Sequence, residues 1–145
     1  MDDARAHYRD LAERYAAAMD AADPKALLAV FAPGGSLVVR NASGRELVTV
    51  SEDRLAAFPR LLGRTYRSTL HHVTTQVLDG ERGTTWCVAH HVTPDWTLET
   101  VGVRYADTLA GGCFARREAT ALWVKVEPLP KTGLRFDEVV QEELT

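Results

Sequence analysis

Cysteine is scarce in this chain of 145 residues: Cys87 and Cys113 are the only two, and no CxxC spacing occurs. A disulfide scaffold and a thiolate zinc site are therefore not expected, and a reducing cytoplasm fits. No apolar run approaches the roughly 18 residues that a membrane span requires. The charged start MDDARAHYRD lacks the features of a signal peptide, so a soluble protein with no membrane partner is expected. Positive charge is not in excess either. With 17 Lys and Arg against 20 Asp and Glu, the formal charge is -3 and the pI is near 5.9. Such a chain has no field for gathering phosphate backbones, which argues against nucleic acid as a partner. The phosphate-loop and nucleophile-elbow patterns GxxxxGK[ST], GxGxxG and GxSxG are missing, and there is no internal repeat. No cofactor is expected.

What is present reads as one domain, because the chain can bury a sizeable core but is short for two. Tyr8, Leu11, Tyr15, Met19 and Ala22 recur every three or four residues, which predicts an amphipathic helix from Asp2 to Ala22. Asp23-Pro24 caps and starts a short second helix through Ala32, ended by Pro33-Gly34-Gly35. SLVVR and ELVTV flank Asn41-Ala-Ser-Gly44 as a hairpin, and Ser51 opens a third helix to about Leu62. Four alternating segments then follow over 67–78, 84–93, 96–109 and 113–126, separated by DGERG, Pro94-Asp95 and Gly111-Gly112. They predict consecutive antiparallel strands, hence an α+β class with helices on one face of a curved sheet. From about Pro128 the tail reads as irregular, with a weak helical turn in FDEVVQEEL.

Four of the five histidines fall within the run STLHHVTTQVLDGERGTTWCVAHHVT, residues 68–93. A two-residue hairpin loop pairs residues of opposite parity. If Gly80-Glu81 is the first turn, His71 lies opposite His90 with Val73 and Val88 beside them, while His72 and His91 point away. If Pro94-Asp95 is also a two-residue turn, His90 shares its face with Val101, Val103, Tyr105 and Asp107. The opposite face then holds Thr74, Gln76, Thr85, His91, Arg104 and Thr108. The valine-rich face is expected inside, and its polar members suggest a cavity. At the last hairpin a two-residue Gly111-Gly112 turn would send Arg116 and Glu118 inward, and a three-residue loop would send Arg117 and Ala119; both remain open.

These features together resemble the SnoaL-like branch of the NTF2-like superfamily, which includes scytalone dehydratase-like proteins, over roughly residues 5 to 126. RYAAAMDAADPKALLAVFAP is similar to that family's first two helices, with Tyr15 and Asp20 in place. STLHHVTT resembles the strand bearing its catalytic histidine, which falls on His71. VAHHVTPD places His90 at a second histidine of the dehydratases, and GVRYADTL resembles the Gly-Arg-Tyr-x-Asp strand. The resemblance implies a cone-shaped α+β barrel, a strongly curved, mostly antiparallel sheet wrapped around three N-terminal helices and an apolar pocket, often in a homodimer. It also covers ketosteroid isomerases, polyketide cyclases, epoxide hydrolases and non-catalytic binders. The isomerase general base falls near Val39, which disfavours that chemistry, and Thr75 stands where an Asn is usual.

Imidazole titrates near neutrality, so His71 can take and return a proton while Asp20 fixes its tautomer. His90 with Asp107 would assist a leaving group. Tyr15 or Tyr105 would hold a carbonyl. Tyr15 and Asp20 stand about 140° apart on a helix, so a pocket must embrace the helix end to use both. Met19, Val73, Trp86, Val88 and Val103 complete the expected lining for a small, largely apolar molecule. His71, His90 and Asp107 also form a facial set that could hold a metal, but no HExxH-type signature supports one and none is expected. The expected function is a dehydratase-type lyase in the cytoplasm. An isomerase or cyclase with the same constellation, or a binding or assembly module, are the alternatives.

Overall fold

The computed structural model describes residues 2–131 and 135–144. The Asp2 carboxylate accepts from Arg5 N at 3.1 Å and starts α1 (Asp3–Asp20), and Asp23 caps α2 (Pro24–Leu28) in the same way through Ala26 N. A hairpin follows, β1 (Phe31–Arg40) and β2 (Glu46–Ser51), and then α3 (Glu52–Thr65). The meander is β3 (Ser68–Asp79), β4 (Arg82–Val92), β5 (Thr97–Ala110) and β6 (Cys113–Pro128). A final helix, α4 (Arg135–Leu144), stands where a weak turn was expected; residues 132–134 of the tail lie outside the described residues.

The second helix stops earlier than its sequence suggests. Phe31 pairs with Phe114 of β6, and Pro33-Gly34-Gly35 becomes an irregularity inside β1. Glycine is needed at Gly35, where a Cβ would meet the Phe114 carbonyl oxygen at 2.7 Å.

The six strands form one sheet in the order β2-β1-β6-β5-β4-β3, antiparallel except for β1 with β6. The curved sheet does not close, since β2 and β3 remain edges. α1 lies across its concave face and buries Tyr8, Leu11, Tyr15 and Met19 there, the positions set by its three-to-four residue repeat. Tyr8 sits so close to β4 that a Cβ on Gly83 would fall 2.4 Å from its ring.

Candidate functional site

The hairpin turns are where the sequence puts them, but the registers are not. Asp79 pairs with Arg82 across the two-residue turn Gly80-Glu81, and the opposite-parity register holds through Gln76 and Thr85. Between Val73 and Gln76 a β-bulge intervenes, so Thr74 and Thr75 both stand opposite Trp86. Arg9 of α1, held by Glu13 at 2.7 Å, donates to the carbonyls of Val73 and Thr74 at 3.1 Å each, satisfying the edge at the bulge. Above the bulge His71 pairs with Ala89, and His72 with Val88. Every side chain of that half of β3 is therefore one position out of phase with the simple hairpin.

A second difference accompanies the first. The β4–β5 loop spans Pro94, Asp95 and Trp96, with Trp96 in the left-handed region at φ 64°, and Thr93 N donates to Thr97 O at 2.9 Å. Ala89 consequently pairs with Val101, Cys87 with Val103, and Thr85 with Tyr105. His71 thus shares the concave face with Val73, Val101, Val103, Tyr105 and Asp107 as expected, but the histidine beside it is His91 and not His90.

His90, Val88 and Trp86 lie on the outer face, where the His90 ring meets His72 at 5.3 Å. They do not line the concave side, and His90 cannot assist Asp107, which is on the opposite face. Thr85 and His91, expected outside, are inside. At the last hairpin Gly111-Gly112 is a two-residue turn, yet a bulge at Ala115 pairs Asp107 with Arg117 and sends Arg117 and Ala119 inward. The two alternatives are thereby settled by a combination neither contained.

At one end of the concave face, Asp20 and His71 meet. Asp20 is the last residue of α1, where the helix dipole disfavours a carboxylate. Three donors compensate: the Thr69 hydroxyl at 2.9 Å, His71 N at 2.9 Å and His71 Nδ1 at 2.6 Å. Burial pushes the Asp20 carboxyl up, but the bonds from His71 and Thr69 outweigh it and hold the group below its ordinary value. Since a carboxylate only accepts, Nδ1 of His71 carries the proton and Nε2 is left for other chemistry. The His71 side chain is 7% exposed and that of Asp20 is 21% exposed. The pair is shielded but not sealed.

His91 stands next to this pair, its ring 5.6 Å from that of His71 and edge-on to it. The ring of Tyr66, which ends α3, stacks on His91 at 4.7 Å, and the Tyr66 hydroxyl donates to Glu99 Oε1 at 2.6 Å. Among the described residues, Nδ1 of His91 is the buried side-chain polar atom without a hydrogen-bond partner. Burial and the neighbouring His71 pull His91 down to about 4, against the smaller upward effects of Glu99 and Asp20. His91 is accordingly neutral near pH 7.

The other end of the concave face is filled. Arg117 and Asp107 are joined at 2.9 and 3.3 Å with side chains 1% and 0% exposed, and Tyr8 donates to Asp107 at 2.7 Å while receiving from Thr85 at 2.8 Å. The guanidinium is sleeved by the rings of Tyr105, Tyr15 and Phe114 at 3.8, 4.3 and 4.3 Å. Burial raises the Tyr15 phenol to about 12 and pushes Tyr105 well above the ordinary value. Tyr15, Tyr105 and Asp107 are thus packed around Arg117, and the structure does not bring them to the His71–Asp20 pair by any direct hydrogen bond among the described residues.

Between the two ends, Val39, Val48, Val103 and Ala119 stay partly exposed on the concave face, and Met19 is buried in the core beneath. A hollow of about 330 Å³ lined by Val48, Val50, Phe58 and Leu61 opens at its β2 side. No cluster of three or more His, Cys, Asp or Glu residues suited to a metal occurs among the described residues. No described helix is long and apolar enough to cross a membrane.

His91 and Asp20 make stability depend on pH in one direction. His91 sits below its ordinary 6.5 when folded, so the unfolded chain takes the proton first on acidification; its contribution is complete above about 6.5 and is lost as pH falls toward about 4. The Asp20 contribution is present above 3.8 and is lost as pH falls through the depressed folded value. Urea midpoints are expected to fall between pH 7 and pH 4.5, and a His91→Gln variant should show a flatter decline. A midpoint that rises on acidification, or a decline identical in the variant, would remove His91 as the cause.

Residues 3–112 match the SnoaL-like domain. The chain belongs to the SnoaL-like domain family. No curated protein matches this SnoaL-like chain by sequence. Among solved structures it is similar to a scytalone dehydratase-like protein from Novosphingobium aromaticivorans, with 17% identity, a TM-score of 0.69 and coverage of 89% of this chain and 95% of the other. A hexachlorocyclohexane dehydrochlorinase, LinA type 3, from Novosphingobium barchaimii has 13% identity and a TM-score of 0.72 over 90% and 92% of the two chains. A protein of ketosteroid isomerase-like fold from Catenulispora acidiphila, in complex with trimethylamine, has 18% identity and a TM-score of 0.67 over 75% and 82%. At these identities the likeness to solved structures establishes the fold of this SnoaL-like domain, and its chemistry has to be argued from the site.

Proposed function

We propose that this chain is a cofactor-independent lyase of the dehydratase type, acting on a small, largely apolar molecule that bears a carbonyl or hydroxyl group. One observation carries the reading: His71 Nδ1 lies 2.6 Å from Asp20 Oδ1 at one end of the concave face, in line with the apolar side chains of Val73, Val101 and Val103. A histidine oriented by a carboxylate, with Nε2 unprotonated, is the arrangement of a general base. His71 Nε2 takes a proton from the carbon next to a carbonyl and returns it to the departing hydroxyl. The C–H and C–O bonds break, a C=C bond forms, and water leaves. His91 takes the assisting place that the sequence suggests for His90, by hydrogen bonding the departing oxygen.

Two of the similar structures are named for eliminations, a dehydratase-like protein and a dehydrochlorinase, and an elimination of either kind breaks a C–H bond. That supports elimination over isomerisation. The site is proposed to work in the cytoplasm, in a homodimer whose contact uses the outer face that exposes Leu70, Val77 and Trp123.

Incubation of candidate hydroxy-carbonyl compounds with the chain, without added cofactor and with chelator present, is expected to give a product lighter by one water. A product of unchanged mass would replace dehydration with isomerisation. Turnover that requires an added cofactor would end the proposal.

A further inference from the structure

The group made by Tyr66, Glu99 and His91 is not explained by the His71–Asp20 pair. Tyr66 closes α3, with its backbone N–H donating to Leu62 O, and it is the residue that turns the chain from α3 toward β3. Its side chain reaches across the open end of the sheet, hydroxyl on Glu99 and ring flat against His91 at an interplanar angle of 26°. His91 and Glu99 are direct partners across β4 and β5, so the three side chains form one layer over the end of the concave face.

We propose that Tyr66 and Glu99 are positioning residues that hold His91 as a fixed, neutral imidazole whose Nε2–H alone meets a ligand bound beside His71. Nδ1 is enclosed and gives no hydrogen bond. An enclosed N–H without an acceptor is costlier than an enclosed lone pair, so the proton belongs on Nε2. The stacked phenol covers the ring face, and burial disfavours the imidazolium by more than the Glu99 backbone favours it. Three other titrating groups bear on His91: His71 from β3, which disfavours its charge, and Glu99 from β5 and Asp20 from α1, which favour it. The Tyr66 hydroxyl donates to Oε1 of the Glu99 carboxylate and so weakens its pull on a proton at His91. The consequence is a division of labour between two imidazoles of one site, His71 the one that exchanges a proton and His91 the one that only donates a hydrogen bond.

The inference deepens the lyase reading and rests on it for the word ligand, but its test needs no substrate. Histidine side-chain ¹⁵N resonances of the full chain are followed from pH 8 to pH 4 in the unsubstituted protein and in Tyr66→Leu. In the unsubstituted protein His91 is expected to show the Nε2–H pattern and to remain neutral until pH falls close to 4. In Tyr66→Leu its midpoint should move up by at least about one pH unit, toward the ordinary imidazole value of ~6.5. Tyr66→Phe keeps the stack but frees Glu99, and should give a smaller upward movement.

An Nδ1–H pattern, or a midpoint near 6.5 in the unsubstituted protein, overturns the proposal even if neither variant folds. So does a folded Tyr66→Leu variant whose His91 midpoint does not move. Such a failure leaves the lyase reading standing, and a failure of the lyase reading leaves the titration untouched.

Discussion

Turnover by a His71→Ala variant is expected to fall by about 10²–10⁴-fold, the usual contribution of a positioned general base. The effect should appear in kcat, because His71 acts on the proton in transit and not on the apolar body of the substrate. Asp20→Asn should lower kcat in the same direction. The amide oxygen can still accept from His71 N, while its NH₂ at the Oδ1 position donates to His71 Nδ1 and makes the Thr69 hydroxyl an acceptor, which reverses the tautomer and removes the free lone pair from Nε2. KM should change little in either variant. His72→Ala, on the outer face, should leave kcat within about twofold, as is usual for a residue outside the reacting groups. Steady-state kinetics on a substrate identified by product mass decides the matter: turnover that persists within a few-fold in His71→Ala removes the pair from the mechanism.

The largest effect on stability is expected at the opposite end of the concave face. Asp107→Ala leaves the Arg117 guanidinium, 1% exposed in its side chain, without its carboxylate partner. Breaking a buried ion pair from one side destabilises by about 3–5 kcal/mol, a large part of the total stability of a domain of this size. The three rings around Arg117 do not offset this loss, because they already lie over the guanidinium in the unsubstituted protein. Arg117→Met alone should be less harmful, because Tyr8 still donates to the remaining carboxylate. The double variant Asp107→Ala/Arg117→Met should be more stable than the sum of the single changes requires, by about 1–3 kcal/mol. Urea unfolding of the four proteins provides the cycle. Additive losses, or a loss below about 1 kcal/mol for Asp107→Ala, would show that the pair is not coupled as its geometry indicates.

The two ends of the face differed in how far they could be read from the chain. The sequence already points to His71 with Asp20 through the family pattern, and to Arg116 or Arg117 as the inward arginine of the last hairpin. It puts His90 on the inner face beside His71, where His91 stands. The turn at Gly80-Glu81 is where the glycine places it, and the register fails only beyond Thr74 and Thr75. Nothing in those two residues announces a bulge, because it carries no glycine and is supported from another element by Arg9. The Pro94-Asp95 turn gained a third residue for a comparable reason: Trp96 adopts a left-handed conformation that favours glycine, held by bonds to Thr93 and Leu129 and by the Arg67 guanidinium over its ring. The two displacements cancel for β5, so Val101, Val103, Tyr105 and Asp107 face inward as expected, and they do not cancel for β4.

The order of helices and strands, the antiparallel meander, the capped helix starts and the apolar stripe of α1 were determined by the sequence alone. Each depends on neighbours within a few positions of one another: a side-chain period, a cap or a turn residue. Which histidine stands beside His71, which arginine meets Asp107, and the stacking of Tyr66 over His91 were decided only in three dimensions. A single extra residue in a strand inverts every side chain beyond it, and whether that residue is accommodated depends on carbonyls satisfied by groups remote in the chain.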